Sequence, residues 1–432
     1  MAVSTGFFAW LKQGLQRGWL WLFAVSFLAL ASVAIGFWWP AKPILVGVVH
    51  SQTGTMASAE GGVLQMTLAA INYLNQQGGV LGRPVKPVVM DGASDAQQFA
   101  KAVDSLIVDH GVVAIFGGWT SASRRAMLPV IEQHKGLLVY PVQYEGLEES
   151  QNIIYTGTTP TQQLNLAITW MLEHFGSRVL LVGSDYIFPR VENTIAQLVL
   201  KRLGAQVCGE YYIKLGSASV DGLANMVAEC KPDFIINTVN GSDNLALFRL
   251  LRQEGANLPL MSLSMDELQL QQLIVALGER VAKEHYVATG YLSSLETPEN
   301  REFKARVANV TNHHQLDVRY ISAAMKSAWD GVFLWAQAVN AASELSAEQV
   351  LHAIEGMSYA SATGPVTVDP FNRHLWQPVF IGKAQANGQF ALEWQTTSLV
   401  EPEPWPLGLP KHAWQRVVQS WYDIWGQQWQ AP

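Results

Sequence analysis

Residues 44–50 have the sequence ILVGVVH, and residues 112–118 have the sequence VVAIFGG. Both are short apolar runs rich in β-branched residues, which is typical of strands buried on both faces of a sheet. A helical pattern follows the first run over 58–75, and Ser94 or Asp95 is placed to cap a second helix. Strands that alternate with helices in this way predict a parallel α/β sheet.

The alternation continues in a second set along the chain. Further strands are predicted over 179–183, 206–213, 233–239, 258–264 and 285–291. Two α/β sets in series predict two lobes with separate cores, and 432 residues are enough for both. Residues 364–395 differ, because Ala386-Asn387-Gly388 is a turn signal between extended stretches, which predicts a β-hairpin.

Composition and motifs argue against several classes of protein. The formal net charge is -7 and no basic stripe is present, which argues against a nucleic-acid partner. The sequence lacks a G-x-S-x-G, an H-E-x-x-H, a P-loop and a G-x-G-x-x-G after a strand, so no enzyme, cofactor or metal site is predicted. His313-His314 is expected in a solvated turn. Cys208 and Cys230 are expected as separate buried thiols, with one disulfide as the alternative.

Residues 19–39 form an uncharged apolar run that is long enough to cross a bilayer as a helix. Lys12 and Arg17 precede it, which favours a cytoplasmic N-terminus and export of the rest of the chain. One interpretation is a signal peptide cut after Ala31 or Ala34. The other is an uncleaved membrane anchor, which the length of the run favours. No cysteine stands near its end, so lipid attachment there is excluded.

Polar and aromatic residues follow several predicted strands. They lie in the segments 50–55, 117–123, 140–146, 183–190 and 237–244. The carboxyl ends of parallel strands share one edge of a sheet, where ligands of open α/β sheets bind. Each segment alone is also explained by helix caps and packed aromatic rings. Their recurrence in both halves of the chain predicts a cleft.

Several of these stretches resemble a known family. They include GVVHSQTGTMA (47–57), FGGWTSASRRAMLPVIE (116–132), LLVYPVQYEGLEES (137–150), LVGSDYIFPR (181–190) and INTVNGSDN (236–244). Together they resemble the urea-type branch of the periplasmic binding protein type I family. That branch supplies the substrate-binding subunits of urea ABC transporters and is related to branched-chain amino acid and amide binders. The likeness covers about residues 43 to 406.

The resemblance implies an α/β fold of two doubly wound lobes joined by a hinge, and the apolar run at 19–39 is expected to precede it as one transmembrane or signal helix. The divisions it implies are 43–158 plus 288–360 for lobe 1, 159–287 plus 361–405 for lobe 2, and 1–42 for a cytoplasmic stub with the signal peptide or anchor. A tryptophan stripe at helical spacing predicts a C-terminal helix in 406–432, most simply packed on the protein body. The implied location is the periplasm of a Gram-negative-type bacterium. If residues 19–39 are not cleaved, they would anchor the chain to the inner membrane.

The resemblance also implies which residues form the ligand site. The first-lobe wall would carry Trp119, Thr120, Ser121, Tyr140, Val142, Gln143 and Tyr144, and the second lobe or hinge would carry Asp185, Tyr186, Phe188 and Asn240. Urea is flat and neutral, with one carbonyl acceptor and four N–H donors. Acceptors such as Gln143, a donor such as Ser121 and aromatic faces above and below suit it, so urea or a similar small amide is the expected solute.

Departures from the urea-type pattern bear on that expectation, and an uncleaved anchor at 19–39 is one of them, because transporter-associated members are normally cleaved or lipidated. Residues 318–335 carry Lys326 and Trp329 where an acid and a tyrosine are usual, and 288–292 have the sequence ATGYL. The expected partner is an ABC permease. A membrane-anchored sensor that reports to a signalling partner, a binder of a branched-chain amino acid-like solute, and an amidohydrolase are the alternatives.

Overall fold

The computed structural model describes residues 42–253, 257–311 and 316–432. The predicted transmembrane or signal helix at 19–39 and the His313-His314 pair lie outside these residues. Within the described ranges, no helix combines the length and the apolar character that crossing a membrane requires.

The strands alternate with helices for most of the chain. The strands are β1 (Ile44–His50), β2 (Val85–Asp91), β3 (Ile115–Gly117), β4 (Leu138–Tyr140), β5 (Ile153–Tyr155), β6 (Arg178–Ser184), β7 (Gln206–Ile213), β8 (Phe234–Thr238), β9 (Leu260–Ser262), β10 (His285–Thr289), β11 (Ser358–Ser361), β12 (Gly364–Val368), β13 (Leu375–Trp376), β14 (Phe380–Ala384) and β15 (Phe390–Gln395). The helices are α1 (Ala57–Gln76), α2 (Ala96–Val108), α3 (Ser121–Gln133), α4 (Leu164–Phe175), α5 (Ile187–Arg202), α6 (Leu223–Cys230), α7 (Asp243–Gln253), α8 (Glu267–Leu277), α9 (Pro298–Val310), α10 (Ala323–Ala342), α11 (Ala347–Ala353) and α12 (Lys411–Ile424). Short 3-10 turns occupy Glu279–Ala282 and Val318–Tyr320.

Lobe 1 is built on a parallel five-stranded sheet in the order β2-β1-β3-β4-β5. Its central strands are apolar and buried, as the sequence predicts for a sheet covered on both faces. Helices α1 to α3 follow the strands, and α10 returns late in the chain to pack on α1, β3 and β4. Polar caps start these helices: Asp95 accepts from the N–H of Gln98, and Thr120 accepts from the N–H of Ser123.

Lobe 2 is built on a seven-stranded sheet in the order β15-β14-β10-β9-β8-β6-β7. Strands β6 to β10 are parallel, and β14 and β15 extend the sheet in antiparallel fashion. The predicted hairpin is present only in its second half, as β14 and β15 joined at Asn387-Gly388. The first half instead forms a separate antiparallel sheet, β11-β12-β13, which touches lobe 1 where Tyr155 bridges to His374.

The chain passes between the lobes three times. It leaves lobe 1 after β5, returns after β10, and leaves again between β13 and β14. We call these passages, around 156–163, 290–297 and 377–379, the three crossovers. The divisions expected from the resemblance stand at 158/159, 287/288 and 360/361.

Cys208 and Cys230 form a disulfide, with their Cα atoms 5.4 Å apart. The expectation of two separate thiols is therefore wrong. Cys208 in β7 and Cys230, the last residue of α6, are 22 positions apart in sequence. Only the packing of α6 beside β7 brings their sulfurs together.

Candidate ligand-binding site

A cavity of about 30 Å³ lies between the two lobes. Residues from both lobes line it: Trp119, Pro141, Gln143, Gly157, Thr158, Gln163, Leu263, Ser264, Met265, Asp266, Glu267, Val287, Ala288, Thr289, Gly290, Tyr291, Leu292, Ser322, Ala323, Ala324, Ser327, Gln377 and Phe390. A single water needs roughly 10–15 Å³ on this scale. The cavity therefore has room for a few waters or for one solute of a few heavy atoms.

All three crossovers reach this cavity. The first contributes Gly157 and Thr158, the second contributes Gly290 to Leu292, and the third contributes Gln377. A molecule bound here touches every segment that has to bend when the lobes open, which is the geometry of a hinged closure around a ligand.

Side-chain amides of the first crossover hold the hinge together. The Nε2 of Gln163 donates to the carbonyls of Leu263 and Ala288, at 2.8 and 2.5 Å, and both acceptors belong to lobe 2. The Nε2 of Gln162 donates to the carbonyls of Leu375 and Val400, at 2.8 and 2.9 Å. These bonds fix the crossovers relative to one another and define the cavity walls.

The lobes are closed on each other beside the cavity. The Nε2 of Gln143 in lobe 1 donates to the Oγ of Ser264 in lobe 2 over 3.2 Å. Trp119 is 5% exposed on the lobe 1 side. The cavity is therefore enclosed between a lobe 1 wall and the residues that follow β9 and β10.

The cavity wall carries acids but no cation. Among the described residues that line it there is no lysine or arginine. Burial raises the pKa of Asp266 to about 6 and that of Glu267 to about 8, although backbone N–H groups of Gln269 and Ser293 oppose the shifts. At neutral pH the Glu267 carboxyl is therefore mainly uncharged, whereas the Asp266 carboxyl is mainly ionised and accepts from the N–H of Gln269. The site offers hydroxyls, amides, one neutral acid and one carboxylate.

Of the residues predicted for the site, the structure brings Trp119 and Gln143 to the cavity. Thr120 caps α3. Val142 is buried next to Gln143 but does not line the cavity. The remaining first-lobe residues, Ser121, Tyr140 and Tyr144, have partners within lobe 1.

A buried ion cluster occupies that part of lobe 1. The Oγ of Ser121 donates to Glu145, and Arg124 donates to Glu145 and Glu148 over 3.2 and 2.9 Å. Arg124 lies over the ring of Tyr144 at 4.3 Å. Burial opposes ionisation of Glu148, but the neighbouring arginines hold its pKa below the ordinary value. The charges of Arg124 and Arg125 compensate those of Glu145 and Glu148, so each charged side chain of this cluster already has a partner within it.

The rings of Tyr140 and Tyr144 belong to the same structural network. The hydroxyl of Tyr140 donates to the carbonyl of Trp119 over 2.5 Å. The hydroxyl of Tyr144 is hydrogen-bonded to His374, whose ring stacks on that of Tyr155 at 4.1 Å. Tyr140 thus positions the Trp119 backbone and touches the site only through it.

The predicted second-lobe residues do not line the cavity. Asp185 pairs with Arg190 over 2.7 Å, and Tyr186 and Phe188 are buried in a lobe 2 core. Asn240 is buried, and its Nδ2 donates to the carbonyl of Thr238. The structure therefore does not bring these four residues to the cavity together with Trp119 and Gln143.

The C-terminal segment covers the carboxyl end of β6, where those residues lie. The N–H of Ile187 donates to the carbonyl of Trp429, and the N–H of Ala431 donates to that of Asp185, each over 3.0 Å. Helix α12 packs on α5, with Trp414 fully buried. The tail also reaches lobe 1, where Arg125 lies over the ring of Trp429 at 5.2 Å.

Sequence reasoning missed much of the wall. It did not select Gln377, the two acids at the start of α8, or the serines at the start of α10. The ATGYL stretch, noted as a departure from the urea-type pattern, supplies five lining residues at 288–292. The other departures lie elsewhere: Lys326 pairs with Asp330 inside lobe 1 over 2.9 Å, and the indole of Trp329 donates to the hydroxyl of Tyr359.

No group of three or more histidine, cysteine or acidic side chains is placed to hold a metal within the ranges that the structure describes.

Comparison with known proteins agrees with this architecture. A family model described as a periplasmic binding protein domain matches residues 44–411. The Leu/Ile/Val-binding protein homolog 6 of Brucella suis is 24% identical over 397 residues, which cover 86% of this chain and 96% of that protein. A limonene hydroxylase of Geobacillus stearothermophilus is 27% identical over 150 residues, which cover 33% of this chain and 27% of that protein.

A solved structure shares the fold. The solute-binding protein of an ABC transporter from Rhodopseudomonas palustris HaA2, in complex with p-hydroxybenzoic acid, matches with a TM-score of 0.74 and 21% identity, covering 85% of this chain and 100% of that one. The family match spans both lobes and the cavity between them. The chain belongs to the periplasmic binding protein family.

Proposed function

We propose that this chain is a periplasmic solute-binding protein that captures urea or a similarly small amide for an ABC importer. The observation that carries the proposal is the cavity of about 30 Å³ that the closed lobes form at the hinge. Closure around a solute is the means by which a two-lobed binding protein signals that it is loaded.

The size and charge of the cavity support a small neutral solute. The related structure from R. palustris holds p-hydroxybenzoic acid, and the B. suis relative is named for leucine, isoleucine and valine. Both kinds of solute have about ten heavy atoms, more than the few waters for which the hinge cavity has room. A carboxylate would also meet Asp266 and Glu267 without a lysine or arginine in the described wall.

The lining groups match the hydrogen-bonding pattern of an amide. Hydroxyls of Thr158, Ser264 and Ser327 stand near the amides of Gln143 and Gln377 around the cavity. Such groups both donate and accept, as urea and short amides do. Trp119 and Phe390 provide apolar surface on the same walls, which suits a flat solute.

Isothermal titration calorimetry on the purified full chain in detergent tests this function. Urea, formamide and acetamide are titrated separately, with leucine and 4-hydroxybenzoate for comparison. We expect at least one of the first three to bind at one site per chain, and the last two to give no heat of binding. Binding of leucine or 4-hydroxybenzoate, with no binding of the three small solutes, would overturn the proposal.

A further inference from the structure

The side chain of Gln377 is buried beside the cavity with both of its polar atoms unpaired. Gln377 is 1% exposed, and neither Nε2 nor Oε1 has a hydrogen-bond partner among the described residues. Its backbone carbonyl is satisfied, because it accepts from the N–H of Val400 over 3.0 Å. Both unpaired atoms belong to the side-chain amide.

A buried amide in this state is costly. Each unsatisfied donor or acceptor gives up its hydrogen bonds to water on burial without replacing them, and native proteins pair most such groups. Other glutamines at this hinge follow the rule: Gln162 and Gln163 each have partners for both polar atoms. A molecule that binds in the cavity would relieve the cost at Gln377.

The amide of Gln377 lies at the edge of the cavity, against Gly290. Gly290 lines the same cavity, and a Cβ placed on it would stand 3.1 Å from the Oε1 of Gln377 and 3.2 Å from the Cγ2 of Thr158. The absence of a side chain at Gly290 leaves room for the amide of Gln377 at this corner. Gln377 itself lies on the third crossover, between β13 and β14, so it is held by the hinge.

The amide presents a donor and an acceptor side by side in one plane. Its complement is a flat group that carries an acceptor next to a donor, which is what urea and primary amides provide. A carboxylate would satisfy the Nε2 but place a second acceptor against the Oε1. An ammonium group would satisfy the Oε1 and leave the Nε2 unpaired.

We propose that Gln377 selects an amide-type solute by accepting one hydrogen bond from it and donating another. This inference rests on the proposed function and identifies Gln377 as the residue that makes the site specific for an amide. It also ties recognition to the hinge, because the solute that satisfies Gln377 holds the third crossover in its closed position.

Calorimetry on the full chain in detergent, with urea and acetamide as probes, tests the inference in wild type, Gln377→Met and Gln377→Glu. Methionine keeps the length of the side chain and removes both polar atoms. We expect it to weaken binding of the better of the two probes by about 10–100-fold, since two hydrogen bonds to the solute are lost. Glutamate replaces the donor with an acceptor and is expected to weaken binding at least as much.

Thermal unfolding without solute separates recognition from a purely structural role. Gln377→Met should unfold at the same or a higher temperature than wild type, because two unpaired polar atoms leave the interior. The matched control is Gln162→Met, which removes satisfied hydrogen bonds at the same hinge and should lower the unfolding temperature.

The outcomes distinguish this inference from the proposed function. If wild type binds urea or acetamide and Gln377→Met binds it equally well, the role of Gln377 is refuted and the proposed function stands. If Gln377→Met instead lowers the unfolding temperature as Gln162→Met does, its amide is structural and the inference is again refuted. If wild type binds no small amide at all, both fail together.

Discussion

At the scale of single residues, Gly290 shows how little room the cavity leaves. A Cβ there would come within 3.1 Å of Gln377 and 3.2 Å of Thr158, which is tighter than ordinary contact. We expect Gly290→Ala to weaken binding of the transported solute by about tenfold or more, because a methyl group enters a space sized for a few waters. Calorimetry on the variant, with the solute that binds wild type, measures the change.

Gly61→Ala is the matched control for that substitution. Gly61 lies within α1, and a Cβ there meets no atom within 4 Å. The alanine should leave solute affinity unchanged and stabilise the fold by about 0.5–1 kcal/mol through its better helix propensity. Equal affinities for Gly290→Ala and wild type would show that the solute does not occupy this corner.

The raised pKa of Glu267 predicts that the stability of the fold depends on pH. Burial raises its pKa in the folded chain to about 8, above the ordinary 4.5, so the folded state binds a proton that the unfolded state releases. The free energy of unfolding should therefore fall as pH rises from about 4.5 to 8, by at most about 1.4 kcal/mol per pH unit from this group.

Guanidinium unfolding of wild type and Glu267→Gln between pH 6.5 and 8 checks this dependence. Asp266, whose pKa is about 6, contributes less over that interval. Glutamine keeps an acceptor for the N–H of Ser293 and carries no titrating proton, so the decline should flatten in the variant. Parallel declines in the two proteins would mean that Glu267 is not the group responsible.

At the scale of elements, the disulfide between β7 and α6 is expected to stabilise lobe 2. It closes a loop with a sequence separation of 22 residues. Constraining such a loop in the unfolded chain is worth about 3 kcal/mol. Reduction with dithiothreitol should lower the midpoint of guanidinium unfolding in wild type and have no effect on the Cys208→Ser/Cys230→Ser double variant. A wild-type midpoint that does not respond to reduction would contradict this.

Elements with a strong local pattern were predictable from the sequence. The strand at 44–50 has the predicted bounds, and the helix predicted over 58–75 differs by one residue at each end, because apolar runs, caps and breakers agree there. Strand β5 was missed, since a buried strand of three residues has too short a pattern to recognise. The hairpin at 364–395 was half right, because nothing local shows that its first half pairs in a separate sheet.

The site was less predictable because its walls depend on contacts distant in sequence. Trp119 and Gln143 follow strands of lobe 1 and reach the cavity as expected. Asp185 and Tyr186 also follow a strand, yet the C-terminal segment around Trp429 lies over them. Gln377 gave no signal, since a single glutamine in an irregular crossover resembles any surface residue until the fold buries it.

At the scale of the whole molecule, the two lobes and the three crossovers surround the hinge cavity. Lobe 1 and lobe 2 meet through Gln143 and Ser264 on one side of the cavity, and through the tail contact of Arg125 with Trp429 elsewhere. Opening breaks these contacts, and a solute that bridges the walls favours the closed state by its differential affinity for it. Transport would then depend on how well the solute forms hydrogen bonds with the crossover residues in the closed state.

A crystal structure of the chain grown with urea or acetamide, whichever binds, tests this account most directly. We predict the solute between the lobes, within hydrogen-bonding distance of both the Nε2 and the Oε1 of Gln377 and against Trp119. Solute found instead in the separate cavity beside Ser58, Ser242 and Gln269, or a hinge cavity that stays without solute at saturating concentration, would contradict it.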